Sequence, residues 1–243
     1  MLTNVEPLRI AVLCSRRAPG LDALLADPQR GRLFDIACVV TSENEFPDRT
    51  RIERSGIPVL IHPIRQFVAA RRVSLRDLAA RRAYERYTID VLRHENIDVI
   101  VLLGYLYVLT DVMLGEFPGR VLNVHDSDLT LTDGNGERRY VGLRSTLDAI
   151  KAGEAETRSS VHVVTEKLDG GPILFRSGPY EVAPFAQQAA AWGASDIVKA
   201  YAYAHREWMM RDSWGALVIQ ALESLAAEFE EENPTEATAA VTA

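Results

Sequence analysis

Residues 98–103 read DVIVLL and stop at Gly104. The five residues after Asp98 are apolar without alternation, so neither face is left for solvent. Such a run predicts a strand at the centre of a parallel sheet, covered on both sides. Upstream, SLRDLAARRAYERYTIDVLRHE (74–95) places Leu75, Leu78, Ala79, Ile89 and Leu92 at three- and four-residue spacings. This predicts a long amphipathic helix with Ser74 as N-cap and Asp77 three residues on, in the manner of a capping box. Downstream, a turn at Pro118-Gly119 leads into a second apolar run, Arg120–Val124. Nearer the N-terminus, Leu8–Cys14 (LRIAVLC) is followed by the breaker cluster Ser15–Gly20 and a helical pattern from Leu21. Two further β-type runs are Phe34–Val40, before the polar residues 41–51, and Pro58–Ile61, after Gly56. Strands alternating with helices from residue 8 to 124 predict an α/β protein. Its core is a Rossmann-like, mostly parallel twisted sheet with flanking helices and right-handed crossovers. Ligands of such sheets lie outside the carboxyl ends of the strands, which singles out residues 14–20, 104–109 and 123–128.

The second half is more varied. A polar stretch, Asp126–Arg139, contains the turn signal Asp133-Gly134-Asn135-Gly136, and a short helix is expected near Leu143–Ala152. Ser159–Thr165 (SSVHVVT) alternates with the period of a strand. Ile173–Val182 reads as another, after the break at Gly170-Gly171-Pro172. A final helix is expected from Ala194 to about Glu230. The expected organisation is a Rossmann-like domain over residues 1–190, a C-terminal helical extension over 191–232 and a frayed tail over 233–243.

Composition narrows the function classes. The 243 residues carry 27 Lys+Arg against 34 Asp+Glu, a formal net charge of −7, which argues against a general nucleic-acid binder. No stretch approaches the roughly 20 apolar residues of a membrane span. Met1–Pro7 holds one charge, Glu6, without the basic-then-apolar order of a signal peptide. A cytoplasmic protein with neither membrane nor nucleic-acid partner is expected. Cys14 and Cys38 both sit in apolar runs, as buried thiols of a reducing compartment do. Starting a calcium loop at Asp126 puts Glu137 at its twelfth position but Leu131 at its sixth, where glycine is required. That stretch therefore reads as a mobile lid, and no metal is expected. The arginines between Arg71 and Arg86 read as a solvated helix face. Trp192, Trp208 and Trp214 read as packing anchors or part of a homodimer contact.

The candidate chemistry lies in Asn123 and His125, in the sequence N-V-H at the end of a predicted strand, and in Asp169, 44 residues after His125 in L-D-G-G-P. Residues two apart on a strand share a face, so Asn123 and His125 project together into the crevice. Asp169 precedes two glycines, where the chain can turn sharply and bring a carboxylate to a neighbouring strand end. An amide donor and an imidazolium can stabilise a tetrahedral oxyanion while a carboxylate sets the state of the histidine and moves protons. The trio suits acyl transfer to an amine. His162 shows no such partners in the sequence and reads as structural.

The segments VLNVHDSDL, YVGLRSTLDAI, SSVHVVTEKLDGGPIL and DVIVLLGYLYVL resemble the folate-dependent formyltransferase family, closest to its glycinamide ribonucleotide formyltransferase branch. The resemblance runs in order over about residues 8–182. It implies a metal-free enzyme that moves a formyl group from 10-formyltetrahydrofolate directly to an amine. Asn123, His125 and Asp169 take the positions of that family's catalytic trio. The resemblance also implies a folate wall of Leu106, Tyr107, Val108, Leu109, Val164, Thr165 and Leu168. The acceptor side departs from the family. Its small-residue phosphate loop reads Cys14-Ser15-Arg16-Arg17-Ala18-Pro19-Gly20 here, so Arg16 or Arg17 would supply a side-chain fork for an anion beside Ser15 and Gly20. Glu207 takes the place of a substrate-binding glutamate. Asp126 and Asp128, beside His125, are expected to favour a cationic amine. Glycinamide ribonucleotide, in purine synthesis, is the default acceptor, with an amino sugar, an amino acid or a specialised-metabolite amine as alternatives. A formyltetrahydrofolate hydrolase ranks lower, since by resemblance it would carry a regulatory domain ahead of residue 8. A folate-binding protein without turnover is the rival outside enzymes.

Overall fold

In the computed structural model, which describes residues 6–232, the side chains of β1 (Leu8–Cys14) alternate between two apolar clusters. Ile10, Val12 and Cys14 enter one, and Ala11 and Leu13 the other. The strand predicted at 98–103 is β4 (Val99–Leu102). Val99 and Val101 join the first cluster, Ile100 and Leu102 the second. Both strands are covered on two faces, which is why neither shows a polar period. Each fully buried aliphatic side chain contributes roughly 1.5–3 kcal/mol.

Among the described residues seven strands make one sheet. β1 pairs in parallel with β2 (Phe34–Thr41) and β4, β2 with β3 (Val59–Ile61), and β4 with β5 (Val121–His125). Two antiparallel strands then close the edge, β7 (Ser160–Val163) against β5 and β8 (Ile173–Arg176) against β7. The order β3-β2-β1-β4-β5-β7-β8 places the switch point between β1 and β4, and a crevice opens there at the carboxyl ends. The strand expected over 173–182 divides. β8 ends at Arg176, and β9 (Tyr180–Glu181) pairs instead with β6 (Glu156–Thr157) in a separate ribbon.

The helices are α1 (Leu21–Ala26), α2 (Arg49–Arg54), α3 (Ile64–Ala70), α4 (Leu78–His94), α5 (Asp111–Glu116), α6 (Ser145–Lys151), α7 (Pro184–Ala191) and α8 (Ser195–Glu232). Six of them have eight residues or fewer, and four of these (α2, α3, α5 and α7) gave no periodic pattern in the sequence. The long helix starts later than expected, because the cap is Asp77. Its carboxylate accepts from Ala80 N at 2.9 Å, whereas Ser74 Oγ accepts from Arg76 N in a local turn. α8 shares its core with β1 through buried Met210, Trp214, Leu217, Val218, Ala221 and Leu222. The tail expected at 233–243 lies outside the described residues. Of the three tryptophans only Trp214 is buried; Trp192 and Trp208 are exposed.

Two glycines let α8 reach the sheet. Gly20 has φ +86°, and a Cβ on it would stand 2.8 Å from Gly215 N. A Cβ on Gly215 would stand 2.3 Å from Ala23 Cβ. Gly215→Val is expected to destabilise the fold by about 1–3 kcal/mol through overpacking. In urea denaturation the midpoint should fall with an unchanged slope; an unchanged midpoint would contradict this packing.

Candidate active site

β5 delivers Asn123 and His125 on one face, and its antiparallel register with β7 sets Asn123 opposite His162 and His125 opposite Ser160. His162 Nδ1 lies 2.9 Å from the Val163 carbonyl, which only accepts, so Nδ1 carries a proton there. His162 Nε2 then accepts from the Asn123 amide at 3.1 Å. That amide has a second hydrogen for a ligand. His125 Nε2 donates to the Tyr140 carbonyl at 3.2 Å, a carbonyl that also accepts from Ser127 Oγ.

Asp169 lies between the two imidazoles. Its Oδ2 is 3.7 Å from His125 Nδ1, its Oδ1 3.7 Å from His162 Nε2, and Gly142 N donates to Oδ2 at 2.7 Å. Arg138 clamps the loop by donating to the Asp169 and Gly171 carbonyls. Asp169 itself takes the left-handed conformation, φ +47°, which aspartate tolerates better than most residues. Gly171 serves a different end: a Cβ there would lie 1.9 Å from the Val163 carbonyl oxygen of β7. Burial alone would raise the Asp169 carboxyl. The charge of His125 and the Gly142 N–H outweigh it and hold the group down to about 2.

These residues form one wall of a cavity of about 340 Å³, within the range of small-molecule sites. The segment after β4 lines the same space, and Leu106, Tyr107, Val108, Leu109, Val164, Thr165 and Leu168 all contribute to it. That segment is tied from behind. Glu85 of α4, 2% exposed, accepts from Thr110 N, Thr110 Oγ1 and Met113 N. Tyr107 donates its hydroxyl to Glu43 at 2.8 Å.

On the acceptor side charges are already spoken for. Arg17 donates both terminal nitrogens to Glu207, at 2.7 and 2.5 Å. Arg16 is exposed, 3.8 Å from Glu45. Buried Asp126 accepts from Arg206 and from Ser145 Oγ, and Asp128 from Arg176, with Arg158 at 3.7 Å. Ser15 is wholly buried, sharing a hydrogen bond with Ser42 and accepting from Leu106 N.

A family model described as formyl transferase matches residues 8–186. The chain belongs to the formyl transferase family. Among relatives, phosphoribosylglycinamide formyltransferase of Haemophilus influenzae is 29% identical over 170 residues, covering 70% of this chain and 71% of that one. The trifunctional purine biosynthetic protein adenosine-3 of Drosophila melanogaster is 30% identical over 172 residues. That match covers 70% of this chain but only 11% of that much longer protein. Among solved structures, phosphoribosylglycinamide formyltransferase from Coxiella burnetii superposes with a TM-score of 0.61 at 26% identity, over 84% of this chain and 86% of that one.

Within this formyl transferase fold the expected trio converges, and the seven expected folate-wall residues share one cavity with it. The expected acceptor set divides. Ser15 and Gly20 hold the fold, while Arg17 and Glu207 neutralise each other. Asp126 and Asp128 bring no net negative charge beside His125, because arginines pair both. The expected lid is also partly buried: Asp126 to Leu129 are packed inside, while Thr130, Thr132 to Glu137 and Arg139 are exposed. His162, expected to be structural, touches Asn123 and faces Asp169. The signal was in its alternating strand, but the antiparallel register that places it beside Asn123 was not.

Asp169 has a measurable signature. A carboxyl lowered by folding stabilises the protein above its unfolded pKa of about 4, and that contribution is lost as pH falls to about 2. In urea denaturation the stability advantage of wild type over Asp169→Asn should shrink by about 2 kcal/mol between about pH 5 and pH 2. A gap independent of pH would contradict the assignment.

Proposed function

We propose that this formyl transferase moves the formyl group of 10-formyltetrahydrofolate to an amine, with glycinamide ribonucleotide as the default acceptor. The observation that carries the reading is the convergence of Asn123, His125 and Asp169 on one wall of a cavity. The same cavity is lined by the mainly apolar segment 106–109 with Val164 and Leu168. Those walls fit a flat folate ring: aliphatic side chains face it, and Glu85 holds the segment in place from behind.

The donor supplies the formyl group, whose bond to the folate nitrogen breaks as its bond to the amine forms. The Asn123 amide donates a hydrogen bond to the formyl oxygen, where negative charge develops, while its other hydrogen rests on His162. Both nitrogens of His125 already face acceptors, the Tyr140 carbonyl and Asp169. His125 therefore helps the oxygen through the field of its imidazolium, not through a direct bond. Asp169, ionised at neutral pH, takes up the proton the amine releases and passes it to the folate nitrogen as the carbon–nitrogen bond breaks. The relatives named as phosphoribosylglycinamide formyltransferases support the default acceptor.

The test follows 10-formyltetrahydrofolate spectroscopically with glycinamide ribonucleotide, with a panel of small amines and with no acceptor. Consumption is expected only with an amine present. Asn123→Ala, His125→Ala and Asp169→Asn should each lower turnover by about 10² or more while remaining folded. Near-normal turnover in any of the three would overturn the mechanism, and consumption without an acceptor would make the protein a hydrolase.

A further inference from the structure

A second cavity, of about 190 Å³, adjoins the first between α6 and α8. Asp126, Leu143 and Arg206 line both, so the two spaces meet beside His125. Its charged lining is Arg144, Lys199 and Arg206 against the single carboxylate of Asp126. Three cations around one anion is an unusual concentration in a chain whose formal net charge is −7. Arg206 meets Asp126 through Nε and neutralises it. Lys199 has only a 3.4 Å surface pair with Asp196, itself almost fully exposed. Arg144 has no ion-pair partner among the described residues. Tyr203, with an exposed ring, adds a hydroxyl to the same wall.

The loop after β1 offers no comparable site. Arg17 spends its fork on Glu207, and Arg16 points to solvent. An anion arriving at that loop would have to displace a bidentate carboxylate, whereas in the second cavity two cations await one.

We propose that the acceptor amine carries an acidic group, carboxylate or phosphate, and that Arg144 and Lys199 read it in this second cavity. The inference rests on the formyl-transfer reading and names its substrate class. The amine enters the main cavity beside Asp126 and Arg206, where the two cavities share their lining, and its acidic end extends between α6 and α8. Arg144 and Lys199 are specificity-determining residues: they touch the remote end of the acceptor and not the reacting atoms.

The experiment compares paired acceptors at saturating 10-formyltetrahydrofolate, in wild type and in Arg144→Gln/Lys199→Gln. The phosphate arm is glycinamide ribonucleotide with its dephosphorylated nucleoside. The carboxylate arm is a set of amino acids with their amides. Wild type is expected to prefer the acidic member of one arm by about tenfold or more in kcat/KM, a preference of the size that charge-assisted bonds give. The arm that shows it tells phosphate from carboxylate. In the double variant that preference should vanish through acceptor KM, with kcat and donor KM unchanged. A wild type without preference, a preference that survives in the double variant, or a loss found instead in Arg16→Gln would each overturn the inference. Should the protein bind 10-formyltetrahydrofolate but turn over no amine, the formyl-transfer reading fails by itself. Calorimetric titration with glycinamide ribonucleotide then decides the inference: weaker binding in the double variant supports it, and equal binding or none in wild type overturns it.

Discussion

A carboxylate buried at the edge of a sheet is stable only if its charge is met, and Asp169 is met from two sides. The His125 imidazole faces one oxygen and a backbone N–H from Gly142 donates to it, while the His162 ring packs 3.7 Å from the other. Each partner comes from a different part of the chain: His125 from β5, His162 from β7 and Gly142 from the segment before α6. Meeting this one charge therefore fixes how those segments sit together. The antiparallel addition of β7 to the sheet is what brings His162 opposite Asn123. Arg138 and the Gly171 contact with β7 hold the Asp169 loop in the conformation the carboxylate needs.

The other half of the crevice is organised by α8. Its buried face belongs to the same core as β1, and the Gly20–Gly215 contact brings it close to the loop after that strand. From that position Arg206 reaches Asp126 and Glu207 reaches Arg17. The helix thus removes two charges from the acceptor side and leaves Arg144 and Lys199 as the cations with least compensation. Packing and specificity are linked through one element: displacing α8 from β1 would release Arg17 and uncover Asp126 together.

What the residues revealed on their own follows the range of the interaction. The parallel strands were readable because burial on both faces removes polar residues from a short run, as in 98–103. Asn123 and His125 were readable because a strand's period of two is local. Asp169 was placed through a family resemblance, and the structure adds that the aspartate, not only the glycines after it, adopts the unusual backbone. His162 was missed because its role depends on a register between strands 39 residues apart. The charges of the acceptor side were misjudged for the same reason: Asp126 and Arg206 are 80 residues apart, and Arg17 and Glu207 190. A formal charge in a sequence says nothing of its partner when that partner is distant. Cys14 and Cys38 show the opposite case. Their apolar neighbours alone foretold burial, and burial pushes both thiols up to about 12.

The central claim is that Asp169 stays ionised inside the site because the surrounding donors stabilise its charge. The most direct measurement is a carbon-13 NMR titration of its side-chain carboxyl, assigned by loss of the signal in Asp169→Asn. A midpoint at about 2 is predicted. A midpoint at or above the ordinary aspartate value of about 4 would mean that burial dominates, and would contradict the account of the site.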